Sequence, residues 1–337
     1  MLALPAQNQD TIRLADWLEL SALVAADGSM SSGELERALH RTGTFEGVDS
    51  DDMLAEEGEQ LPDQSDEDPI EREVLAVFSE LDARAQAAGT AYPFTVEPRL
   101  LTKRPDSAAF TPYTFCLFLS YFGDETEKAR TKTHDDDDGN EPKSKQAKIF
   151  PRRLFEHLAT IAAANYVGGR AVRFGWPRRK MPGEFGAAID ELLLHHLREG
   201  KQFNGEPHFE SKDRHVDIVA WKDFQDRNSS KIVVMGQCAT NREERDWDIK
   251  KSELQPGKFW DNWIAGPAVS ELHRAFFVPH RIHPARWDMH ARDAGLLFDR
   301  CRVALYASGS SEGCSTADAN DFALCRAWIE KKKTALN

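Results

Sequence analysis

Two short stretches decide the reading of this chain: Asp217-Ile218-Val219-Ala220-Trp221 and Ile232-Val233-Val234-Met235-Gly236-Gln237-Cys238. Each is an apolar run of strand length, and the turn-rich segment Gln225 to Ser230 joins them. Each also carries one polar side chain that a buried strand has no use for, Asp217 at the start of the first and Gln237 near the end of the second. Burying a carboxylate costs several kcal/mol unless it is paired or bound to a cation. Neighbouring strands with polar ends can bring those groups to one point, so the position of Asp217 asks for a cation.

Working outward, the chain after Pro151 reads as an α/β core. A helix over Arg152 to Tyr166 stops at Gly168-Gly169, and Arg170 to Trp176 is extended up to Pro177. A second helix spans Glu184 to Arg198, with Phe185, Ile189, Leu192, Leu193 and Leu197 on its apolar side. After the two decisive strands, Glu243 to Ile264 holds helical segments interrupted at Pro256-Gly257. Strands over Arg274 to Val278 and Leu296 to Ala307 precede a terminal helix from Thr316 to Lys332. The sum is a mixed central sheet flanked by helices.

The N-terminal part differs in character. Thr11 to Thr42 reads as two short helices, the second opened by the capping-box spacing of Ser31 and Glu34. Asp27-Gly28-Ser29 lacks the alternating oxygen ligands and closing glutamate of a calcium loop. Residues 1–46 therefore form a small acidic helical module, 47–69 an acidic linker too poor in apolar residues to order itself, and 70–337 the α/β domain, with its core at about 150–310. Within that domain Glu71 to Ala88 and Tyr113 to Phe122 read as helices and Tyr92 to Leu101 as extended. The run Asp135 to Asp138 lies in an exposed loop over Thr131 to Lys148.

The 337 residues carry a net charge of -13, unevenly spread. Residues 1–80 hold 20 acidic and 4 basic side chains, a net of -16, which leaves +3 for the remainder. A local excess of ten Lys or Arg over Glu141 and Glu156 in 141–180 suits a phosphate backbone. No apolar run approaches the ~18 residues of a membrane span, and the first ten residues lack the pattern of a secretory signal, so the expected location is the cytoplasm. Five cysteines without paired spacing indicate neither a disulfide framework nor a cysteine zinc site.

An acidic residue opening one strand, an acid or glutamine some twenty residues later on the next, a lysine nearby and a glutamate on the preceding helix together resemble the PD-(D/E)XK, or restriction-endonuclease-like, nuclease superfamily. On that resemblance Asp217 matches the metal-binding aspartate and Gln237 the second metal-site residue in its glutamine variant. The main-chain carbonyl of Cys238 is a further ligand. Glu199 stands for the helix glutamate, with Glu191 as its substitute. The chain departs from the pattern at Ala239, where the lysine normally projects. Lys250, or Lys251 beside it, can supply a migrated lysine from the following helix, with Trp247 anchoring that helix. The resemblance implies a restriction-endonuclease-like fold and hydrolysis of phosphodiester bonds, first of all in DNA, with Mg²⁺ or Mn²⁺ as cofactor, in a bacterial defence or restriction setting. Arg178, Arg179, Lys180 and Lys251 are then the candidate phosphate contacts, and the net of -16 over residues 1–80 lets the acidic module either dock a basic protein partner or occupy the phosphate groove when the enzyme is idle. Assembly into an oligomer is compatible with all of this.

Other constellations compete. His280, His283 and His290 have the chemistry of zinc ligands, but Pro284 breaks any regular helix across them, and a polar loop is the expectation. Cys238 at a strand end reads as a packed thiol. Ala239 also keeps a different class open, a nucleic-acid-binding or assembly subunit that has the fold without turnover.

Overall fold

The computed structural model describes residues 4, 10–41, 68–105, 111–134, 151–178, 180–205, 214–310, 312–314 and 319–336. The expected linker up to residue 67, the Asp135 to Asp138 run, Lys143, Lys145, Lys148 and Arg179 lie outside them. The architecture is mixed α/β and divides into two compact units. Among the described residues no helix is long and apolar enough to cross a membrane.

The first unit comprises residues up to Gln86 together with Phe94–Ser107. Its elements are α1 (Thr11–Val24), β1 (Ser29–Ser31), α2 (Ser32–Arg41), α3 (Pro69–Ala88), β2 (Phe94–Glu97) and β3 (Leu100–Lys103). The strands form a small antiparallel sheet in the order β1-β3-β2. The unit thus takes in α3 and the β2–β3 hairpin, a later boundary than the division at 46 and 70 drawn from composition. At its centre the fully buried guanidinium of Arg84 donates to Asp16 (2.7 Å), Glu19 (2.9 Å), Glu80 (2.7 Å) and the carbonyl of Ile12 (2.9 Å). Three of this unit's carboxylates, two of them from the acidic module, are therefore engaged internally.

The second unit carries α4 (Pro112–His134), α5 (Pro151–Val167), β4 (Arg170–Arg173), α6 (Phe185–Glu191), β5 (Ile218–Trp221), β6 (Ile232–Cys238), α7 (Glu244–Glu253), α8 (Pro256–Trp263), β7 (Glu271–Phe277), α9 (Pro284–Ala294), β8 (Leu296–Phe298), α10 (Arg300–Ala307) and α11 (Ala319–Leu336). Helix α6 continues as a π-turn over Leu192–Leu197 and ends at Arg198 in the left-handed region. The strands form one sheet in the order β4-β5-β6-β7-β8. The pairs β4–β5 and β5–β6 are antiparallel, whereas β6–β7 and β7–β8 are parallel. A parallel neighbour needs a crossover connection, and α7 with α8 supplies it between β6 and β7.

Strand alternation sorts the sheet into two faces. Val172, Val219, Trp221, Val233 and Met235 share one face and are buried with Phe185, Ile189 and Leu193 of the α6 segment and Phe259 and Trp260 of α8. Ala171, Ala220 and Val234 point the other way, and α5 crosses β4, β5 and β6. A second cluster joins Ala239, Trp247, Phe276 and Leu297 under α7 and α9. Pro256 at the first position of α8 explains the break seen in the sequence there. The expected strand over Leu296 to Ala307 is in fact a three-residue strand followed by α10. Asp299 ends β8 by accepting the N–H of Arg302, and Arg300, Cys301, Val303, Ala304 and Ala307 bury at helical spacing.

Candidate functional site

The polar ends of the two decisive strands meet. Asp217, just ahead of β5, extends the ladder on both sides: its N–H donates to Gly236 (2.9 Å), and its carbonyl accepts from Phe174 (2.7 Å) and Gly175 (2.9 Å). With its backbone held between β4 and β6, its side chain turns to β6, where Oδ2 accepts the N–H of Cys238 at 2.7 Å. A carboxylate taking a main-chain N–H in this way is fixed in position.

Gln237 is 4% exposed, and its Nε2 donates to Glu253 Oε2 at 3.0 Å. The same carboxylate oxygen lies 3.1 Å from His215 Nδ1. Only the NH₂ end of a carboxamide can donate to a carboxylate, so this network assigns the amide's orientation. It turns Oε1 away from Glu253, and Oε1 is buried with no hydrogen-bond partner among the described residues. Lys250, half-buried on α7, brings Nζ to 3.4 Å from the carbonyl of Cys238. Trp247 holds that helix down: its indole N–H donates to Asn241 at 2.8 Å and its ring stacks on His280.

Sequence reasoning missed one carboxylate. Glu156 on α5 accepts from Arg173 Nε of β4 at 2.7 Å, beside Asp217. Gly175 stands between the two acids: a Cβ there would meet Asp217 Oδ1 at 3.0 Å and Glu156 Oε2 at 3.1 Å, so these oxygens are at most about 6 Å apart. The glycine keeps open a gap that any side chain would fill. Electrostatics agree with this grouping. Burial pushes the Cys238 thiol well above its ordinary range, the charges of Asp217 and Glu156 push it further, and Lys250 and Arg173 act in the opposite sense. A thiol so disposed stays protonated and is no nucleophile.

The other expected positions fall elsewhere. Glu199, expected as the helix glutamate, is fully buried at the opposite end of β6, where Oε1 accepts from Ser270 at 2.7 Å and lies 4.0 Å from Lys231. It does not join Asp217, because Lys231 precedes β6 and Cys238 ends it. Glu191, its substitute, is 3.8 Å from His195 and 3.7 Å from His196. Lys251 is buried, paired to Asp248 at 2.7 Å and 3.2 Å from His290 Nδ1, which makes it a strut between α7 and α9. Arg178 is buried with its guanidinium 4.5 Å above the Phe174 ring, while Lys180 is exposed.

The three histidines do not converge. His280 meets the carbonyl of Thr240 (3.2 Å), His283 caps α9, and His290 lies between Lys251 and Glu244. Among the described residues no three His, Cys, Asp or Glu side chains gather as ion ligands. The oxygen donors at this end of the sheet are of another kind: the carboxylates of Asp217 and Glu156 on either side of Gly175, and on β6 the Gln237 carboxamide oxygen and the Cys238 main-chain carbonyl. All are hard oxygens of the sort Mg²⁺ and Mn²⁺ take, and the unpartnered Oε1 of Gln237 and the gap at Gly175 fit such an ion. The Cys238 carbonyl would share its two lone pairs between that ion and Lys250. No protein-family model, curated protein or solved structure matches the chain.

Proposed function

We propose that this protein is a metal-dependent nuclease that hydrolyses phosphodiester bonds, with DNA as the first substrate to test. The observation that carries the reading is that Asp217 and Lys250 both reach the main chain of Cys238, next to Gln237 at the end of β6, with Glu156 across Gly175 from Asp217. The mixed sheet with its helical flanks is compatible with a restriction-endonuclease-like core.

Asp217, Glu156, Gln237 Oε1 and the Cys238 carbonyl would hold the divalent cation, which when bound supplies polarisation of the phosphate and a water of lowered pKa. The chain's own groups do the rest. The Cys238 N–H fixes the Asp217 carboxylate, and Arg173 fixes that of Glu156. Glu253 keeps the acceptor end of Gln237 turned inward. Lys250, whose contact with Cys238 is long at 3.4 Å, swings to the phosphate and stabilises the negative charge that grows on its oxygens. The amide at 237 carries one charge fewer than a carboxylate, so these residues would hold a divalent cation more weakly than a set with an acid there.

A second reading, a binding or assembly subunit without turnover, is favoured by Ala239 and by Lys250 resting on the carbonyl an ion needs. Plasmid, linear and single-stranded DNA and RNA, incubated with wild type, Asp217→Ala and Lys250→Ala in Mg²⁺, Mn²⁺ or EDTA, separate the two. Metal-dependent cutting lost in Asp217→Ala supports the nuclease, and binding without cutting in every condition supports the subunit.

A further inference from the structure

Joined to Gln237 through Glu253 is a pocket of about 330 Å³ that no part of the proposed hydrolysis uses. Its walls come from Arg214 and His215 ahead of β5, from Glu253 at the end of α7, and from Lys258, Asn262 and Trp263 on α8. Glu253 belongs to both places: it lines the pocket and accepts from Gln237 at 3.0 Å. The pocket is therefore one hydrogen bond from Gln237.

The lining has a definite chemistry. Arg214 lies 4.8 Å from the centroid of the Trp263 ring, and Lys258 is exposed on the first turn of α8, so two cations face the space. The single carboxylate of the wall, Glu253, is engaged by Gln237 and by His215 at 3.1 Å. The balance favours an anion. Asn262, near the end of α8, adds a carboxamide that can both donate and accept, as the edge of a base requires. Buried Phe259 and half-buried Trp263 provide apolar surface behind them. The volume sits at the small end of ligand pockets, roughly 300–1,000 Å³, the scale of one nucleotide and far below that of a duplex.

We propose that this pocket binds a single unpaired nucleotide of a nucleic-acid strand, its phosphate on Arg214 and Lys258 and its base edge on Asn262. Its position next to the scissile bond rests on the nuclease reading above, but its occupancy does not. The preference that follows is for single strands or frayed ends over blunt duplex.

Calorimetric titration of the full chain in EDTA with dTMP, AMP and inorganic phosphate tests this without turnover. A mononucleotide should bind at least 10-fold tighter than phosphate, and Lys258→Glu and Arg214→Ala should each weaken it by 10-fold or more. Both side chains are exposed, and circular dichroism checks that the variants fold. Nucleotide binding lost in Asp217→Ala but kept in Lys258→Glu would place the ligand at the carboxylates and overturn the proposal. So would equal affinity for phosphate and nucleotide, or no binding at all. Intact, Lys258-dependent binding in a protein that cuts nothing would sink the nuclease reading and leave the pocket standing.

Discussion

Glu156→Gln is the sharpest perturbation of the candidate site, because it changes one charge while keeping the shape. The carboxamide oxygen can still accept from Arg173 Nε, now at 2.7 Å, so the buried guanidinium keeps its partner. What is lost is a negative charge no more than about 6 Å from Asp217 Oδ1, as the 3.0 and 3.1 Å approaches to the Gly175 position require. At an effective dielectric constant of about 20, unit charges at that separation interact by roughly 3 kcal/mol. A cation placed between the two carboxylates forfeits at least that much attraction, and ~1.4 kcal/mol is a factor of ten, so affinity should fall about 100-fold. Calorimetry with Mn²⁺ measures this directly, and a thermal melt without metal should show Glu156→Gln less stable than wild type, because the lost charge of the 2.7 Å ion pair with buried Arg173 outweighs the relieved repulsion with Asp217. If Glu156→Gln bound Mn²⁺ as tightly as wild type, the two acids would not share an ion, and the geometric argument would be wrong.

Three further outcomes are expected. Lys250→Ala should reduce single-turnover cleavage about 10²- to 10³-fold, the usual cost of a missing transition-state donor, while far-ultraviolet circular dichroism stays unchanged. Arg84→Ala strands Asp16, Glu19 and Glu80 in the first unit and should cost ~3–5 kcal/mol in urea unfolding, whereas loss below 1 kcal/mol would mean that water reaches the cluster. Burial holds the His196 imidazole below its ordinary pKa of 6.5, so the unfolded chain takes up the proton first; stability should decline as pH falls below about 6.5, and His196→Gln should flatten that part of a melting-temperature profile.

Much of the site was legible because its residues violate the rule of their own element. An aspartate and a glutamine in otherwise apolar strands are anomalies within a five- to seven-residue window, and both lie on adjacent strands. Lys250 was legible as one of two adjacent helix lysines, and burial now separates it from Lys251. Glu156 was not legible. It sits on α5 among Arg152 and Arg153 as an ordinary charge on an amphipathic helix, and only the pairing of β4 with β5 carries Arg173 and Gly175 to Asp217. Glu199 was chosen for its nearness in sequence to β5, but it lies by Lys231, at the end of the sheet where β5 finishes with Trp221 and not where it starts beside Asp217, so nearness along the chain became distance along the sheet. Likewise Leu296 to Ala307 is apolar enough for a strand throughout, and a single capping aspartate turns it into a helix after Phe298.

The amide at 237 can be understood from its neighbour. A carboxylate there would face Glu253 Oε2 from about 3.0 Å, the distance Nε2 now holds, and by the same Coulomb arithmetic that pair would repel by about 5 kcal/mol in the absence of an ion. Glutamine converts the contact into a charge-assisted hydrogen bond and spends its donor end on it, which leaves an oxygen, and not an NH₂ group, for the inner site. The exchange trades ion affinity for a cluster that is stable when empty. Gln237→Glu should therefore lower the melting temperature in EDTA and raise it above wild type in millimolar Mn²⁺. A Gln237→Glu protein destabilised equally in both conditions would show that position 237 faces no cation, and that its amide is there only to hold α7 to the sheet.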